Sequence, residues 1–365
     1  MKALALVPGT TDLKIVERTE PQVATATDVK MKVLQVGICG TDREEAAGGR
    51  ADAPSGSTEL VIGHEMFGQV VAVGKSVKTV KKGDFGVFMV RRPCGKCSAC
   101  KNRRSDMCLT GDYTERGIKG ADGFQQEFVL DDEQFLVKIP KKIQHLGVLT
   151  EPMSVGSKAI EEAVQIQAAR LPKVNPKKWL EGKKTLVVGL GPIGLLAAVA
   201  LRLRGATVIG VDIVDETSIR PQVLKAIGGT YSDGRVVKTA DLDDKFGEFD
   251  LIFEATGVAQ LEFDLIDALG INGIYCLTGI PAGNRPVTME AANLMQQIVL
   301  KNQILLGSVN ASYEHYKIAV ADLEKAHKAY PEAMAKIITD RHPFTDFQDA
   351  LAHHSSDEIK CVLEW

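Results

Sequence analysis

Residues 61–68 read V-I-G-H-E-M-F-G and set two metal-competent side chains, His64 and Glu65, next to each other. Neighbouring residues on a strand point to opposite faces, so both reach one ion only where the backbone bends, and Gly63 and Gly68 permit that. Alone, the pair reads as a buried histidine beside a surface carboxylate. It has company: Cys39-Gly40-Thr41-Asp42 precedes it and Glu151-Pro152 follows. Cysteine, histidine and carboxylate are ligands of zinc, and a site with few protein ligands and an open position is catalytic. Glu151 also has a simpler reading, as a carboxylate complementing a helix N-terminus.

A second cluster has different chemistry. Cys94, Cys97, Cys100 and Cys108 follow the pattern C-x2-C-x2-C-x7-C. Four thiolates so close in sequence can complete a tetrahedral shell and leave no room for substrate, which is the signature of structural zinc. An iron–sulfur cluster is the alternative, although the long last gap and the lack of a following Cys-Pro depart from the bacterial ferredoxin run. Seven cysteines, an odd count with tight local spacing, argue for metal rather than a disulfide framework. Cys276 and Cys361 lie in apolar strand-like runs and read as inert buried thiols.

A third stretch binds phosphate. A strand from Lys184 runs into Gly189-Leu190-Gly191-Pro192-Ile193-Gly194, and a long apolar helix follows. The first glycine makes the tight turn, the second lets the backbone approach a pyrophosphate, and the third lets helix and strand pack closely. The next strand, 207–211, ends at Asp212, where a carboxylate takes the adenosine ribose hydroxyls of a dinucleotide. Further strand ends at Thr256, Thr278 and Asn310 should open on the same crevice. Thr256 and Thr278 read equally well as ordinary strand-end hydroxyls.

These motifs need two kinds of support. Residues 1–90 show short alternating strands at 2–7, 29–36, 68–73 and 86–90 with frequent glycine, the pattern of a compact β domain with its metal residues on turns. Helical periodicity starts near Met153, residues 171–182 read as a surface connector, and βα alternation then runs to residue 309. That alternation describes a doubly wound parallel sheet. At 365 residues two domains are expected. The net charge of -3 excludes the basic excess that nucleic acid or membrane surfaces require, and no apolar run approaches the roughly 20 residues of a bilayer span. The N-terminus lacks the pattern of a signal peptide, so a cytoplasmic location is expected.

Together these stretches resemble the zinc-dependent medium-chain dehydrogenase/reductase superfamily along nearly the whole chain, and within it the glucose dehydrogenase branch. The carrying residues are Gly37-Ile38-Cys39-Gly40-Thr41-Asp42, Gly63-His64-Glu65, Arg91-Arg92 before Cys94-Gly95, Asp122-Gly123-Phe124, Glu151-Pro152 and the C-terminal I-K-C-V-L-E-W. The resemblance implies a GroES-like β-rich catalytic domain at 1–154 with the zinc lobe at 94–108. It implies a Rossmann domain at 155–310, a return of 311–365 to the first domain, and an active-site cleft between the two. It implies catalytic zinc at Cys39, His64, Glu65 and Glu151, hence two zinc ions per chain, and assembly as a homo-tetramer or homo-dimer through the last Rossmann strand. A quinone or enoyl reductase of this fold would have no use for Cys39, His64 and Glu151 together, and a non-enzymatic homologue would tolerate their loss.

The implied activity is oxidation of a sugar or polyol hydroxyl with hydride transfer to NAD(P), most like aldose to lactone. The alternative is a general zinc alcohol or polyol dehydrogenase. Thr41 is placed to accept the hydroxyl proton, but Arg43-Glu44-Glu45 stands where many alcohol dehydrogenases carry a relay histidine, so the outer proton path has no assigned residue. Asp212 with no basic residue before Arg220 predicts NAD over NADP. Glu115 and Asn310 are expected to reach a sugar from opposite sides, together with Thr41 and Glu151, whereas Val90, Val155 and Leu300 are apolar where polar groups would be expected.

Overall fold

A computed structural model describes all residues except 282, 284, 285, 353, 354 and 356. It divides into two compact units: residues 1–154, 310–324 and 338–365 form the first, and residues 155–309 and 325–337 the second.

The first unit is built on a twisted sheet whose strands run in the order Leu136–Ile139, Phe85–Phe88, Glu65–Val73, Asp28–Gly37, Lys360–Glu364 and Ile338–Pro343, with Phe128–Asp132 also pairing to Asp28–Gly37. Its pairs are antiparallel except the last, which is parallel. Asp28–Gly37 is central: Val29, Met31, Val33 and Val36 are fully buried and pack with Met66, Val70, Phe88 and Phe124. The C-terminal strand pairs Val362 with Gly37 and Leu363 with Val36, which brings the end of the chain to the residues just before Cys39. Ile338–Pro343 is not apparent in the sequence; it is a half-exposed polar edge strand ending in proline, which lacks the apolar alternation that marks a strand. A small three-stranded sheet, Arg91–Arg92, Thr114–Arg116 and Gly120–Ala121, flanks the four-cysteine lobe.

The second unit holds six parallel strands in the order Thr230–Asp233, Thr207–Asp212, Lys184–Val188, Phe249–Glu254, Leu269–Leu277 and Ile304–Gly307. This is the expected doubly wound sheet, with strand order 3-2-1-4-5-6. The helix Pro192–Leu203 is apolar almost all round and buries eight residues from Gly194 to Leu201. The helix after Phe249–Glu254 is short, Ala259–Asp264 followed by a 3-10 turn, and the next strand starts directly at Leu269. The stretch 171–182 is less of a surface connector than its prolines and lysines suggest, because Trp179 and Leu180 anchor it in buried positions.

Candidate active site

The backbone turns sharply between Val61 and Glu65. Gly63 has φ +87, a left-handed conformation that only glycine adopts without strain, and it lets His64 and the first residue of Glu65–Val73 face one place. Cys39 immediately precedes the helix Gly40–Ala46. One potential ligand atom each from Cys39, His64 and Glu65 lies within 4.8 Å of the others. Glu151, in the first turn of the helix Thr150–Arg170, lies outside that trio but is buried and feels the charges of His64, Glu65 and Lys360. Burial, with His64 acting against it, raises the Glu151 carboxyl to about 7.

Three further residues complete the site, and none was assigned a role from sequence. The Asp42 carboxylate accepts the backbone N–H of Cys39 at 2.7 Å through Oδ2, and its Oδ1 lies 3.6 Å from His64 Nδ1. One carboxylate thus fixes the Cys39 backbone by a hydrogen bond and faces His64 by charge alone, just beyond hydrogen-bond distance. Lys360, fully buried in the last strand, donates to both oxygens of Glu65, at 2.9 and 2.6 Å, and to the carbonyl of Ile38. Glu65 depends on Gly37 for space, since a Cβ there would stand 2.1 Å from Glu65 Oε2. A lone lysine in the otherwise apolar C-terminal run I-K-C-V-L was the sequence signal for Lys360. Glu45, one helical turn beyond Asp42, is fully buried with no hydrogen-bond partner on either oxygen, and burial followed by the Asp42 charge pushes it to about 9.

This donor set suits a cation. Burial works to lower the pKa of His64, yet Asp42 and Cys39 raise it well above the ordinary value. The pocket therefore draws positive charge, and a divalent ion supplies it without the proton.

Thr41 is half-buried in the first turn of Gly40–Ala46. Glu115 and Asn310, expected on opposite sides of a substrate, are direct partners instead: Asn310 Nδ2 donates to Glu115 Oε1 at 2.7 Å. Arg91 donates to the same oxygen at 2.9 and 3.1 Å. A cavity of about 500 Å³, lined by Arg50, Asp52, Tyr113, Glu115 and Lys119 among others, opens beside this group.

The four cysteines Cys94, Cys97, Cys100 and Cys108 converge, with their sulfurs within 4.8 Å of one another. Backbone N–H groups of Lys96 and Cys97 point at the Cys94 sulfur, and those of Cys100 and Leu109 at the Cys97 sulfur, at 3.4–3.5 Å. Cys94 is lowered to about 5 by the Thr110 hydroxyl and these amides, while burial pushes Cys100 up to about 12. A cluster prepared for thiolates in part and resisting the rest is what a bound cation resolves. Among the described residues all seven cysteines are free thiols, with Cys276 and Cys361 buried.

In the second unit, Gly189 has φ +85, and a Cβ on Gly194 would stand 1.8 Å from the Gly189 carbonyl oxygen, so the first and third glycines are required by the turn and its packing. A Cβ on Gly191 meets nothing within 4 Å; this residue caps the helix Pro192–Leu203 with open space before it. Leu190 and Ile193 complete the turn. That cradle fits a pyrophosphate at a helix N-terminus. Asp212 ends its strand with Oδ2 accepting the Leu190 N–H at 2.8 Å. The hydroxyls of Thr256 and Thr278 donate to the side chain and carbonyl of Glu254, at 2.5 and 2.6 Å, so both support the strand end.

Comparison with known proteins agrees with this geometry. Residues 144–365 match the family described as glucose dehydrogenase C-terminus, and residues 25–141 the alcohol dehydrogenase GroES-like domain. The chain is 36% identical to glucose 1-dehydrogenase 2 of Vulcanisaeta moutnovskia, covering 100% of this chain and 99% of that one. It is also 36% identical, at the same coverage, to glucose 1-dehydrogenase of Thermoproteus tenax. The Haloferax mediterranei glucose dehydrogenase, solved in complex with NADP, Zn and gluconolactone, superposes with a TM-score of 0.88 at 31% identity, covering 100% of this chain and 99% of that one. The chain belongs to the glucose dehydrogenase family of the zinc-dependent medium-chain dehydrogenases.

Proposed function

We propose that this enzyme oxidises the anomeric hydroxyl of an aldose to a lactone, passing hydride to NAD in preference to NADP. The observation that carries the reading is the converging trio of half-buried Cys39 and buried His64 and Glu65, backed by Asp42 and Lys360. These residues, with Glu151, would hold a zinc ion, which when bound polarises the substrate hydroxyl. Thr41 would relay the hydroxyl proton, taking it while its own hydroxyl proton passes outward. Burial holds Glu151 at about 7 while no ion is bound; a bound cation would favour its carboxylate form, in which it can hold the ion or take part in moving that proton. Lys360 fixes Glu65 by bonding both of its oxygens, whereas Glu151 has no such contact among the described residues, so the two carboxylates have different tasks.

Glu115 and Asn310 support a polyhydroxy substrate, because their remaining acceptor and donor capacity suits paired sugar hydroxyls and the neighbouring cavity carries the charged side chains of Arg50, Asp52 and Lys119. Asp212 supports NAD, since a carboxylate accepts ribose hydroxyls and repels a 2′-phosphate. The four cysteines would hold a second, structural zinc ion. Assembly as a homo-dimer or homo-tetramer is supported within the second unit by the edge strand Ile304–Gly307 and the exposed Met295, Val299 and Leu300 nearby. Seven free thiols support a reducing, cytoplasmic setting. No helix among the described residues is long and apolar enough to cross a membrane.

The test is kcat/KM over a panel of aldoses, polyols and simple alcohols with each coenzyme. Sugars lead with NAD if the reading is right. Simple alcohols ahead of every sugar by more than about tenfold, roughly 1.4 kcal/mol in transition-state binding, would leave a general alcohol dehydrogenase.

A further inference from the structure

Asp212 does not stand as a bare carboxylate. Its Oδ1 accepts the N–H of Ile213 at 2.7 Å, and its Oδ2 accepts that of Leu190 in the glycine turn. A guanidinium nitrogen of Arg220, in the first turn of the helix Ile219–Ala226, lies 3.5 Å from the same Oδ2. The contact is largely shielded, with side-chain exposures of 13% for Arg220 and 9% for Asp212.

The other charges at this end of the sheet have different partners. Arg235 is held by Asp233 at 2.6 Å and Asp215 at 2.7 Å, and Lys225 pairs with Glu216. The positive charge directed at Asp212 is therefore that of Arg220. A guanidinium in contact with the carboxylate that receives the ribose hydroxyls is within reach of a group attached to one of those hydroxyls. It is also suited to bidentate recognition of phosphate.

We propose that Arg220 is the residue through which this site accepts the 2′-phosphate of NADP: Asp212 sets the preference for NAD, and Arg220 keeps that preference modest. The proposal rests on the reading of Asp212 given above. In the NAD complex Arg220 holds Asp212 in place. With NADP the guanidinium turns from the carboxylate to the phosphate, and the repulsion between the two anions is offset by the cation between them. Truncating Asp212 removes the carboxylate that competes with phosphate for Arg220.

The test uses the full chain and calorimetric affinities for adenosine 5′-monophosphate and for adenosine 2′,5′-bisphosphate, which differ only at the group in question. The four proteins are the wild type, D212A, R220Q and the double variant, with R220K as a charge-retaining control and thermal melting to verify folding. D212A should shift the ratio of affinities toward the bisphosphate by tenfold or more, and the added R220Q should remove most of that gain. In the wild-type background R220Q should shift the ratio against the bisphosphate, and R220K should recover part of the loss. If R220Q leaves the ratio unchanged in both backgrounds while D212A still shifts it, Arg220 is a structural ion pair and the proposal falls, with the Asp212 reading intact. If D212A itself fails to shift the ratio, the Asp212 reading falls first and takes this one with it.

Discussion

Lys360 and Glu65, separated by 295 residues in sequence, form a bidentate ion pair with less than 3% of either side chain exposed. Burial works to lower the pKa of Lys360, but Glu65, followed by Cys39, raises it above its ordinary value. Breaking such a pair from one side leaves an uncompensated buried charge, which costs about 3–5 kcal/mol. The variant K360M should lose stability on that scale by denaturant unfolding and bind zinc at the trio more weakly. The double variant E65Q/K360M should recover a large part of the stability, because it removes both charges. A K360M protein as stable as the wild type would show that Glu65 gains its countercharge elsewhere.

Glu45 gives the pH dependence. Its carboxyl is at about 9 in the folded chain against an ordinary 4.5, so between those values the unfolded chain releases a proton that the folded chain keeps. The contribution of this group is fully present below pH 4.5 and is lost as pH rises toward 9, with a limiting slope of about 1.4 kcal/mol per pH unit. The wild type should therefore lose stability between pH 5 and pH 9. E45Q, which cannot ionise, should lack that component and exceed the wild type in melting temperature at pH 8 but not at pH 5. Equal slopes for the two proteins would place the Glu45 proton release near its ordinary value.

The motifs that carry chemistry were legible because their function depends on local sequence. Gly63 and Gly189 are forced by backbone angles, the four cysteines by one small loop, and Gly194 by its approach to the Gly189 carbonyl. The supporting residues were less legible. Lys360 meets Glu65 only after the last strand pairs with Asp28–Gly37, and Glu115 meets Asn310 across 195 residues of sequence. Glu45 was seen only as the absence of a histidine, since nothing local distinguishes a buried glutamate from a solvated one on a short helix.

The two zinc ligand sets should respond differently to metal removal. Metal analysis should give two ions per chain. Brief chelation should remove the ion held by Cys39, His64 and the carboxylates first, because an open site exchanges faster than a closed four-thiolate shell. C108S should leave one ion per chain and impair folding or assembly, since the remaining three sulfurs cannot close the shell. One ion per chain in the wild type, or an iron–sulfur absorption band, would overturn the two-zinc assignment.

The Glu115–Asn310 hydrogen bond allows the substrate reading to be tested at residue level. If both side chains hold sugar hydroxyls as one unit, E115Q and N310A should each lower kcat/KM for the preferred aldose by tenfold or more. The double variant should lose much less than the product of the two, a coupling of about 0.5–3 kcal/mol. E115Q retains the shape but gives up the charge that Arg91 pairs with, so its melting temperature should fall by a few degrees, and N310A should show little change. The discriminating measurement is the same cycle with a simple primary alcohol, which has no second hydroxyl for the pair to hold. Its kcat/KM should change far less than that of the sugar. Equal losses on sugar and simple alcohol would mean that Glu115 and Asn310 act on the architecture of the first unit rather than on the substrate, and the aldose assignment would then lose its residue-level support.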